Sequence, residues 1–261
     1  MDLGPYLRRI GLAEATPLPP TLETVRTLMG RHVRSIPFEN VDVQLRRPIL
    51  LDLPSLEAKL VHAGRGGYCF EQNTWFAAVL GALGFTVTTL AARVRWNADG
   101  PTPRTHMLLR VEIEGAPWLV DVGFGGFVPT APLALDEARA QLTDLGTFRL
   151  HREGAFTVLA AASHDEAFHD MYAFTDEPHT AVDYVAMNHF TATHPSSRFQ
   201  RHLIVARPTE TARHALLDDE WIVRDRAGTT RTKIARSEVP RLLRERFDLT
   251  VPDDVELPAL R

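Results

Sequence analysis

The single cysteine of the chain, Cys69, lies in the stretch RGGYCFEQN (residues 65–73), where two glycines precede it and an apolar, helix-forming run follows. Glycine adopts backbone angles that other residues resist, so Gly66 and Gly67 predict a sharp turn into a helix whose first turn contains the cysteine. Unpaired N–H groups and the helix dipole at that position favour the thiolate over the thiol. A lone cysteine is more often a small core residue than a nucleophile, and this stretch alone leaves that alternative open.

A reactive thiolate needs a base, and His106 has the most distinctive position among the eleven histidines. It begins the run HMLLRVEIEG, whose alternation predicts a half-buried strand, and it lies on the face opposite Met107 and Leu109. Asp121 falls inside the apolar run WLVDVGF, where an unpaired carboxylate is costly, so we expect it to be paired or to orient another group. Taken singly, a strand histidine is more often structural, and a buried aspartate can instead cap a turn or pair with an arginine.

The chain between these two residues contains EGAP, a typical turn sequence. A two-residue hairpin turn at Glu114-Gly115 would place Asp121 opposite Leu108. The histidine and the carboxylate would then be diagonal neighbours on one face, with Cα atoms roughly 7–8 Å apart. A three-residue loop or a bulge would change this geometry. Together with the thiolate, such a pair supports acyl transfer, in which the imidazole moves the proton and the carboxylate fixes its tautomer.

The elements that must carry these residues fall into three successive parts. Residues 1–84 show helical apolar spacings in PYLRRIGL, TLETVRTLMGRHVRSI, LPSLEAKLVH and the run from Cys69 to Leu83, and predict a helical bundle carrying the nucleophile. Residues 85–185 contain short β-forming runs separated by Gly, Pro and Asp, and predict an antiparallel sheet or small barrel carrying the histidine and the aspartate. Residues 186–261 contain the later part of the helical run AVDYVAMNHFTA, then strands and a closing helix. This order, without βαβ alternation, favours an α+β fold.

The composition limits the classes of protein. The 261 residues are 44% hydrophobic and 24% charged, which is ordinary for a globular protein. One cysteine allows no internal disulfide, and a net charge of −4 argues against a general nucleic-acid partner. The amino terminus lacks a signal-peptide layout and no apolar run reaches membrane-spanning length, so we expect a cytoplasmic protein without a membrane partner. SHDEAFHD (163–170) gathers metal-ligand types without the HExxH order, and we expect an exposed polar segment and no metal.

Five collinear segments resemble the arylamine N-acetyltransferase family. They are SIPFENVDV near residue 40, RGGYCFEQN, THMLLRV, LVDVGFGG and NHFTATHPSSRF near residue 190. A single RGGxC would be a weak signal, whereas five segments in order are a strong one. The resemblance implies a helical bundle, a β-barrel-like domain and an α/β lid. It also implies a triad of the cysteine-protease/transglutaminase-like type, formed by Cys69, His106 and Asp121.

The resemblance further implies a ping-pong reaction. Cys69 would take an acetyl group from acetyl-CoA as co-substrate, and a small arylamine or hydrazine acceptor would then attack the thioester. An aromatic amine is largely neutral at pH 7 and needs an apolar slot. Residues in or beside the matched motifs would contact the acceptor or border the CoA cleft, with core packing as the alternative for the first three: Phe38, Val94, Phe124, Gly125, Gly126 and Phe127. Glu39 and Arg65 would form a supporting ion pair. The sequence assigns no arginine to the CoA phosphates and no oligomeric state.

Two other functions fit parts of this pattern. A related amide synthase or a transglutaminase-like thiol hydrolase would use the same three residues, although the hydrolase leaves PFEN and the carboxy-terminal segment unexplained. A catalytically silent binding module could retain the fold, but the three intact residues argue against it. Loading of the cysteine by acetyl-CoA alone, followed by discharge to an arylamine, separates these hypotheses.

Overall fold

The N-terminal part of the protein is helical in the computed structural model, which describes residues 1–15, 17–163 and 167–251. The helices of this part are α1 (Gly4–Arg9), α2 (Leu22–Ser35), α3 (Val41–Gln44), α4 (Leu53–Leu56), which continues as a π-helical turn (Glu57–His62), and α5 (Cys69–Ala82). α2 begins after Thr21, whose side chain accepts the Thr24 N–H at 3.4 Å and caps the helix. None of the helices in the described ranges is long and apolar enough to span a membrane.

The middle part forms an eight-stranded antiparallel sheet. Its strands are β2 (Thr86–Val94), β3 (Arg104–Ile113), β4 (Ala116–Val120), β5 (Leu133–Ala134), β6 (Gln141–Thr143), β7 (Gly146–Glu153), β8 (Phe156–Ala162) and β9 (His169–Phe174). Their order in the sheet is β5-β4-β3-β2-β9-β8-β7-β6. The sheet is nearly closed, like a barrel, and the mixture of helix and sheet confirms the predicted α+β class. The sequence did not predict β5, β6 or β9.

The turn between β3 and β4 decides where Asp121 lies. Glu114 and Gly115 have φ angles of +53° and +82°, the left-handed conformation that a two-residue hairpin turn of type I′ needs. The resulting register pairs Leu109 with Val120, so Asp121 follows in the predicted position. The prediction that Asp121 lies within the strand is wrong by one residue, because β4 ends at Val120. The Asp121 carboxylate accepts the N–H two residues further on, which turns the backbone away from the sheet.

The C-terminal part contains α6 (Ala181–Thr193), α7 (Arg198–Arg201), a five-stranded sheet and α8 (Val239–Phe247). The strands of this sheet, in spatial order, are β1 (Phe38–Glu39), β10 (Ile204–Pro208), β11 (Arg213–Leu217), β12 (Glu220–Asp225) and β13 (Gly228–Lys233). β1 comes from the PFEN segment, so the first part of the chain supplies an edge strand to the last part. The sequence predicted neither β1 nor β11. The division at 84/85 and 185/186 stays a prediction.

The two faces of β3 bury side chains in different cores. Met107 and Leu109 pack in the core formed with the helices, which includes the fully buried Trp75 of α5. Leu108 packs in a second core with Leu90 and other residues of the large sheet. This alternation is the one predicted from the sequence, and it places β3 between α5 and the interior of the barrel-like sheet.

Candidate active site

Cys69, His106 and Asp121 lie together and are linked by hydrogen bonds. His106 Nε2 donates to Asp121 Oδ2 over 2.7 Å, and a side-chain hydrogen bond joins His106 to Cys69. Because Nε2 is engaged by the carboxylate, Nδ1 is the ring nitrogen that remains available to the sulfur. The Cys69 thiol also lies 3.5 Å from the Thr105 carbonyl oxygen. All three side chains of the series are buried, which strengthens the electrostatic interactions among them.

Four donors surround the Asp121 carboxylate. Besides His106, the Tyr172 hydroxyl donates to Oδ2 over 3.0 Å, and Oδ1 accepts from Asn73 Nδ2 over 3.0 Å and from the Gly123 N–H over 2.8 Å. Burial alone would raise the pKa of Asp121, but His106, Asn73 and Gly123 hold it below its usual value. The carboxylate is therefore ionised at neutral pH, and its orientation is fixed from both sides.

The ionised carboxylate changes the protonation of His106. Burial opposes the charged imidazolium, but Asp121, with a smaller contribution from Cys69, raises the pKa of His106 to about 10. The imidazole is accordingly protonated at neutral pH, between a carboxylate on one side and a sulfur on the other. This is the charge distribution that stabilises a thiolate–imidazolium pair.

Asn73 joins the helix to the sheet at this point. It lies four residues after Cys69 on α5 and on the same helix face. Its Nδ2 also donates to the Met107 carbonyl over 2.8 Å, and its Oδ1 accepts the Val122 N–H over 3.1 Å. One amide thus holds α5, β3 and the loop after β4, so RGGYCFEQN carries both the cysteine and the residue that aligns it with Asp121.

Gly123 permits the close approach of that loop to α5. A Cβ atom at this position would lie 2.6 Å from the Cys69 Cα and 2.8 Å from Asn73 Nδ2. Both separations are far shorter than a van der Waals contact, and the first is to backbone. Only glycine therefore allows the aspartate loop to sit against the first turn of α5.

Tyr172 and Asn73 are two of the site residues that sequence reasoning missed. Tyr172 lies in β9, whose sequence HDMYAF gave no alternation strong enough to predict a strand. Asn73 is the last residue of RGGYCFEQN. Its spacing of four residues from Cys69 places it on the same helix face, and this spacing could have predicted that it lies beside the cysteine.

The predicted ion pair between Glu39 and Arg65 is present as a contact. Arg65 Nη2 and Nε lie 2.7 and 3.1 Å from Glu39 Oε1, and Nη2 is also 3.3 Å from Asp42 Oδ1. Burial would lower the pKa of Arg65, but Glu39 and Asp42 raise it. The pair ties β1 to the loop that precedes Cys69, and its role in activity stays a prediction.

A cavity of about 660 Å³ opens onto the cysteine and the histidine. All six residues predicted to contact the acceptor or border the CoA cleft line it: Phe38, Val94, Phe124, Gly125, Gly126 and Phe127. The Phe124 ring lies 5.1 Å from the His106 ring and 5.0 Å from the Tyr172 ring, measured between centroids. The end of the cavity next to the reactive pair is thus formed largely by aromatic surface.

One wall of the cavity is a row of residues across the five-stranded sheet. The pairing runs from Phe38 to Ala206, then to Ala215, Ile222 and Arg231. All five line the cavity. Four strand spacings of about 4.8 Å place Arg231 roughly 19 Å from Phe38. The wall is therefore apolar from Phe38 to Ile222 and ends at Arg231, whose guanidinium also pairs with Glu220 over 2.6 Å.

Further arginines line the same cavity. The Arg224 guanidinium lies 4.9 Å above the centroid of the Phe127 ring, a cation–π contact. Arg198 and Arg201 of α7 are on the lining as well. Burial lowers the pKa of Arg198, an effect opposed by Asp218, so its cation is partly desolvated. Away from the catalytic end, the cavity has a positive lining that suits an anionic ligand.

The segment SHDEAFHD, considered from the sequence as a source of metal ligands, is described only in part. Residues 164–166 of SHDEAFHD lie outside the described residues. Within the described part of the chain, ligand atoms of His151, Glu153 and Asp170 come within 4.8 Å of one another. The Arg95 guanidinium contacts both carboxylates, at 3.0 and 3.3 Å. The acidic charge of this group is therefore paired with a cation of the chain itself.

Comparison with known proteins gives one answer. A family model described as N-acetyltransferase matches residues 21–255. Arylamine N-acetyltransferase of Mycobacterium bovis is 39% identical over all of this chain and 93% of its own. The Salmonella typhimurium arylamine N-acetyltransferase / N-hydroxyarylamine O-acetyltransferase is 40% identical over 90% of this chain and 84% of its own. The chain is also similar to the structure of Mycobacterium marinum arylamine N-acetyltransferase in complex with CoA, with 36% sequence identity and a TM-score of 0.91. The match covers 99% of this chain and 97% of the M. marinum chain. On the fold, the arrangement of Cys69, His106 and Asp121, and these similarities, the chain belongs to the arylamine N-acetyltransferase family.

Proposed function

We propose that the protein transfers an acetyl group from acetyl-CoA to the nitrogen of an arylamine or hydrazine, in a ping-pong reaction through a thioester on Cys69. The observation that carries this proposal is the buried Cys69–His106–Asp121 series opening onto a cavity that is apolar at one end and cationic at the other. Membership of the family supports the acceptor class, and the CoA complex of the M. marinum relative supports the donor.

In the first half-reaction, the Cys69 thiolate attacks the acetyl carbonyl carbon and a new C–S bond forms. The C–S bond to CoA then breaks, and CoA leaves as a thiol with the proton of the His106 imidazolium. His106 is suited to this step because its pKa is raised to about 10 and it holds the proton at neutral pH. Asp121 remains ionised throughout and orients the ring.

In the second half-reaction, the amine nitrogen attacks the thioester carbonyl and forms the N–C bond. Neutral His106, left by the first half-reaction, accepts the proton that the nitrogen loses, and the bond to the Cys69 sulfur breaks. The cycle ends with the thiolate–imidazolium pair restored. A weakly basic aromatic amine reaches the thioester uncharged, and the aromatic surface of Phe38 and Phe124 matches such a ligand better than a charged one.

The cationic end of the cavity fits the rest of the donor. CoA carries its phosphates at the far end of an extended pantetheine arm, a distance comparable with the roughly 19 Å between Phe38 and Arg231 estimated from the strand spacing. With its thioester at Cys69, the phosphates would lie among Arg224, Arg231 and the α7 arginines. Guanidinium groups bind phosphate by paired charge-assisted hydrogen bonds.

Intact mass spectrometry after incubation with acetyl-CoA alone tests this function. We expect one acetyl adduct on the wild type and none on Cys69→Ala, because the chain has a single cysteine. Adding an arylamine should discharge the adduct and yield the N-acetylated product. No adduct, or an adduct discharged equally fast by water, would contradict the proposal, and the second outcome would favour the thiol hydrolase.

A further inference from the structure

Lys59 is the less exposed of the two lysines in the chain. Of the 29 basic Lys and Arg residues only two are lysines, Lys59 and Lys233. The Lys59 ammonium lies 2.7 Å from Glu71 Oε1 and 2.7 Å from Asp42 Oδ2, and its side chain is 18% exposed. Lys59 is thus a half-buried lysine held between two carboxylates in a chain whose other basic residues are almost all arginines.

Glu71 connects this ammonium to the helix start that carries Cys69. The glutamate is buried in the first turn of α5, two residues after the cysteine, and its Oε2 accepts the Tyr68 N–H over 3.0 Å. The loop packs tightly on the carboxylate, since a Cβ at Gly67 would lie 2.8 Å from Oε2. The orientation of the Glu71 carboxylate therefore determines how the glycine loop enters the helix.

Lys59 also holds the other end of the same loop. Its carbonyl oxygen accepts the Arg65 N–H over 3.1 Å. The backbone of Lys59 thus fixes the first residue of RGGYC, while its ammonium fixes, through Glu71, the residue just before the cysteine. Lys59 lies in the π-helical turn of Glu57–His62, a rare conformation that is frequent at functional sites.

The charge of Lys59 balances an otherwise costly carboxylate. Burial raises the pKa of Glu71, and Lys59 acts in the opposite direction. Without the ammonium, Glu71 would either stay ionised as an uncompensated buried charge in the helix turn that carries Cys69, or take up a proton and become a poorer acceptor for the Tyr68 N–H. Either change acts on the nucleophile through Glu71 and leaves His106 and Asp121 in place.

We propose that Lys59 is a positioning residue for the nucleophile. Its ammonium keeps the Glu71 carboxylate ionised and fixed on the Tyr68 N–H, and this sets the orientation and the thiolate reactivity of Cys69. The inference deepens the proposed function, because it rests on Cys69 acting as the nucleophile.

The test measures the rate of Cys69 alkylation by iodoacetamide as a function of pH, for folded protein well below the melting temperature of each variant. Lys59→Met should slow alkylation about tenfold at pH 7. It should also move the midpoint of the pH profile of alkylation upward by about one pH unit, which corresponds to about 1.4 kcal/mol. Lys59→Arg, which keeps the charge, should stay within about threefold of wild type. Lys233→Met is the matched control, because Lys233 is an exposed residue paired with Asp219, and it should leave the profile unchanged.

A double variant separates the charge from a purely structural role. In Lys59→Met/Glu71→Gln neither charge of the pair remains, and an amide oxygen can still accept the Tyr68 N–H, so alkylation should recover to within about threefold of wild type. If Lys59→Met does not fold, Lys59→Gln supplies a neutral side chain with hydrogen-bond donors and should slow alkylation in the same direction.

Wild-type profiles for the neutral Lys59 variants, or a double variant as slow as Lys59→Met, would overturn the inference. The assay uses no acetyl-CoA. A wild type that reacts like an ordinary thiol would therefore count against Cys69 as the nucleophile, which is a failure of the proposed function rather than of the role of Lys59 alone.

Discussion

Asp121→Asn removes the charge that controls His106 while keeping the size of the side chain. In the wild type, burial opposes protonation of the ring, and the carboxylate more than offsets it and raises the pKa of His106 to about 10. In the variant, burial still lowers the pKa of His106 and the largest opposing contribution is gone, so we expect this pKa to fall. The protonated fraction of the ring at neutral pH should fall with it, and the Cys69 sulfur would then lose positive charge beside it.

The size of the effect follows from the same contacts. The rise of the pKa of His106 from 6.5 to about 10 corresponds to a free-energy difference on the order of 5 kcal/mol, at about 1.4 kcal/mol per pKa unit. A carboxylate-to-amide change in a triad lowers turnover by about 10⁴-fold, because the imidazole tautomer is no longer fixed. We expect both acetyl loading and the alkylation of Cys69 at pH 7 to fall by about 10³- to 10⁴-fold.

Stopped-flow alkylation and acetyl loading followed by mass spectrometry measure the two rates, with urea unfolding as the check that the variant is folded. Asp176→Asn is a suitable control, since this exposed aspartate pairs with Arg110 at 2.7 Å on the surface, where such pairs contribute little. An Asp121→Asn variant that is folded and reacts within tenfold of wild type would refute the assignment of Asp121 to the triad.

Two further predictions concern stability. Because the pKa of His106 in the folded protein is about 10, above its ordinary 6.5, this group stabilises the fold fully below pH 6.5 and the contribution is lost as pH rises through 10. Urea unfolding between pH 7 and 10 should therefore show a steeper loss for wild type than for His106→Asn, and parallel curves would contradict the buried ion pair. Gly123→Ala should destabilise the protein by about 1–3 kcal/mol and prevent acetyl loading, since the added Cβ would lie 2.6 Å from the Cys69 Cα. Gly81→Ala, where a Cβ on α5 has no neighbour within 4 Å, should instead stabilise by about 0.5–1 kcal/mol, and equal effects at the two positions would show that crowding at Gly123 is unimportant.

Local sequence was sufficient for the elements that depend on local preferences. The helix beginning at Cys69 and the strand beginning near His106 were predicted from apolar spacing, and Glu114-Gly115 was predicted as the turn from its residue types. The register of the hairpin then follows from the turn, because a two-residue turn allows one pairing. The error of one residue at Asp121 arose because the carboxylate ends the strand through its own bond to Gly123.

Long-range packing decided what local patterns did not contain. β1 is only two residues long, too short to show a periodicity in the sequence. It forms by pairing with β10, which lies more than 160 residues further along the chain. β9 has the same difficulty, and with it the Tyr172 hydroxyl that donates to Asp121. A short strand is stabilised by its neighbours in the sheet, and these are invisible to a window of adjacent residues.

The sequence by itself predicted three residues that could perform acyl transfer and a hairpin that places two of them on one face. The tertiary structure decided that α5 meets this hairpin through Asn73, that Gly123 lets the loop approach the helix, and that Lys59 reaches Glu71 beneath the glycine loop. The physical reason is range: turn and helix preferences act over a few residues, whereas buried charges and close contacts join residues that are far apart in the chain.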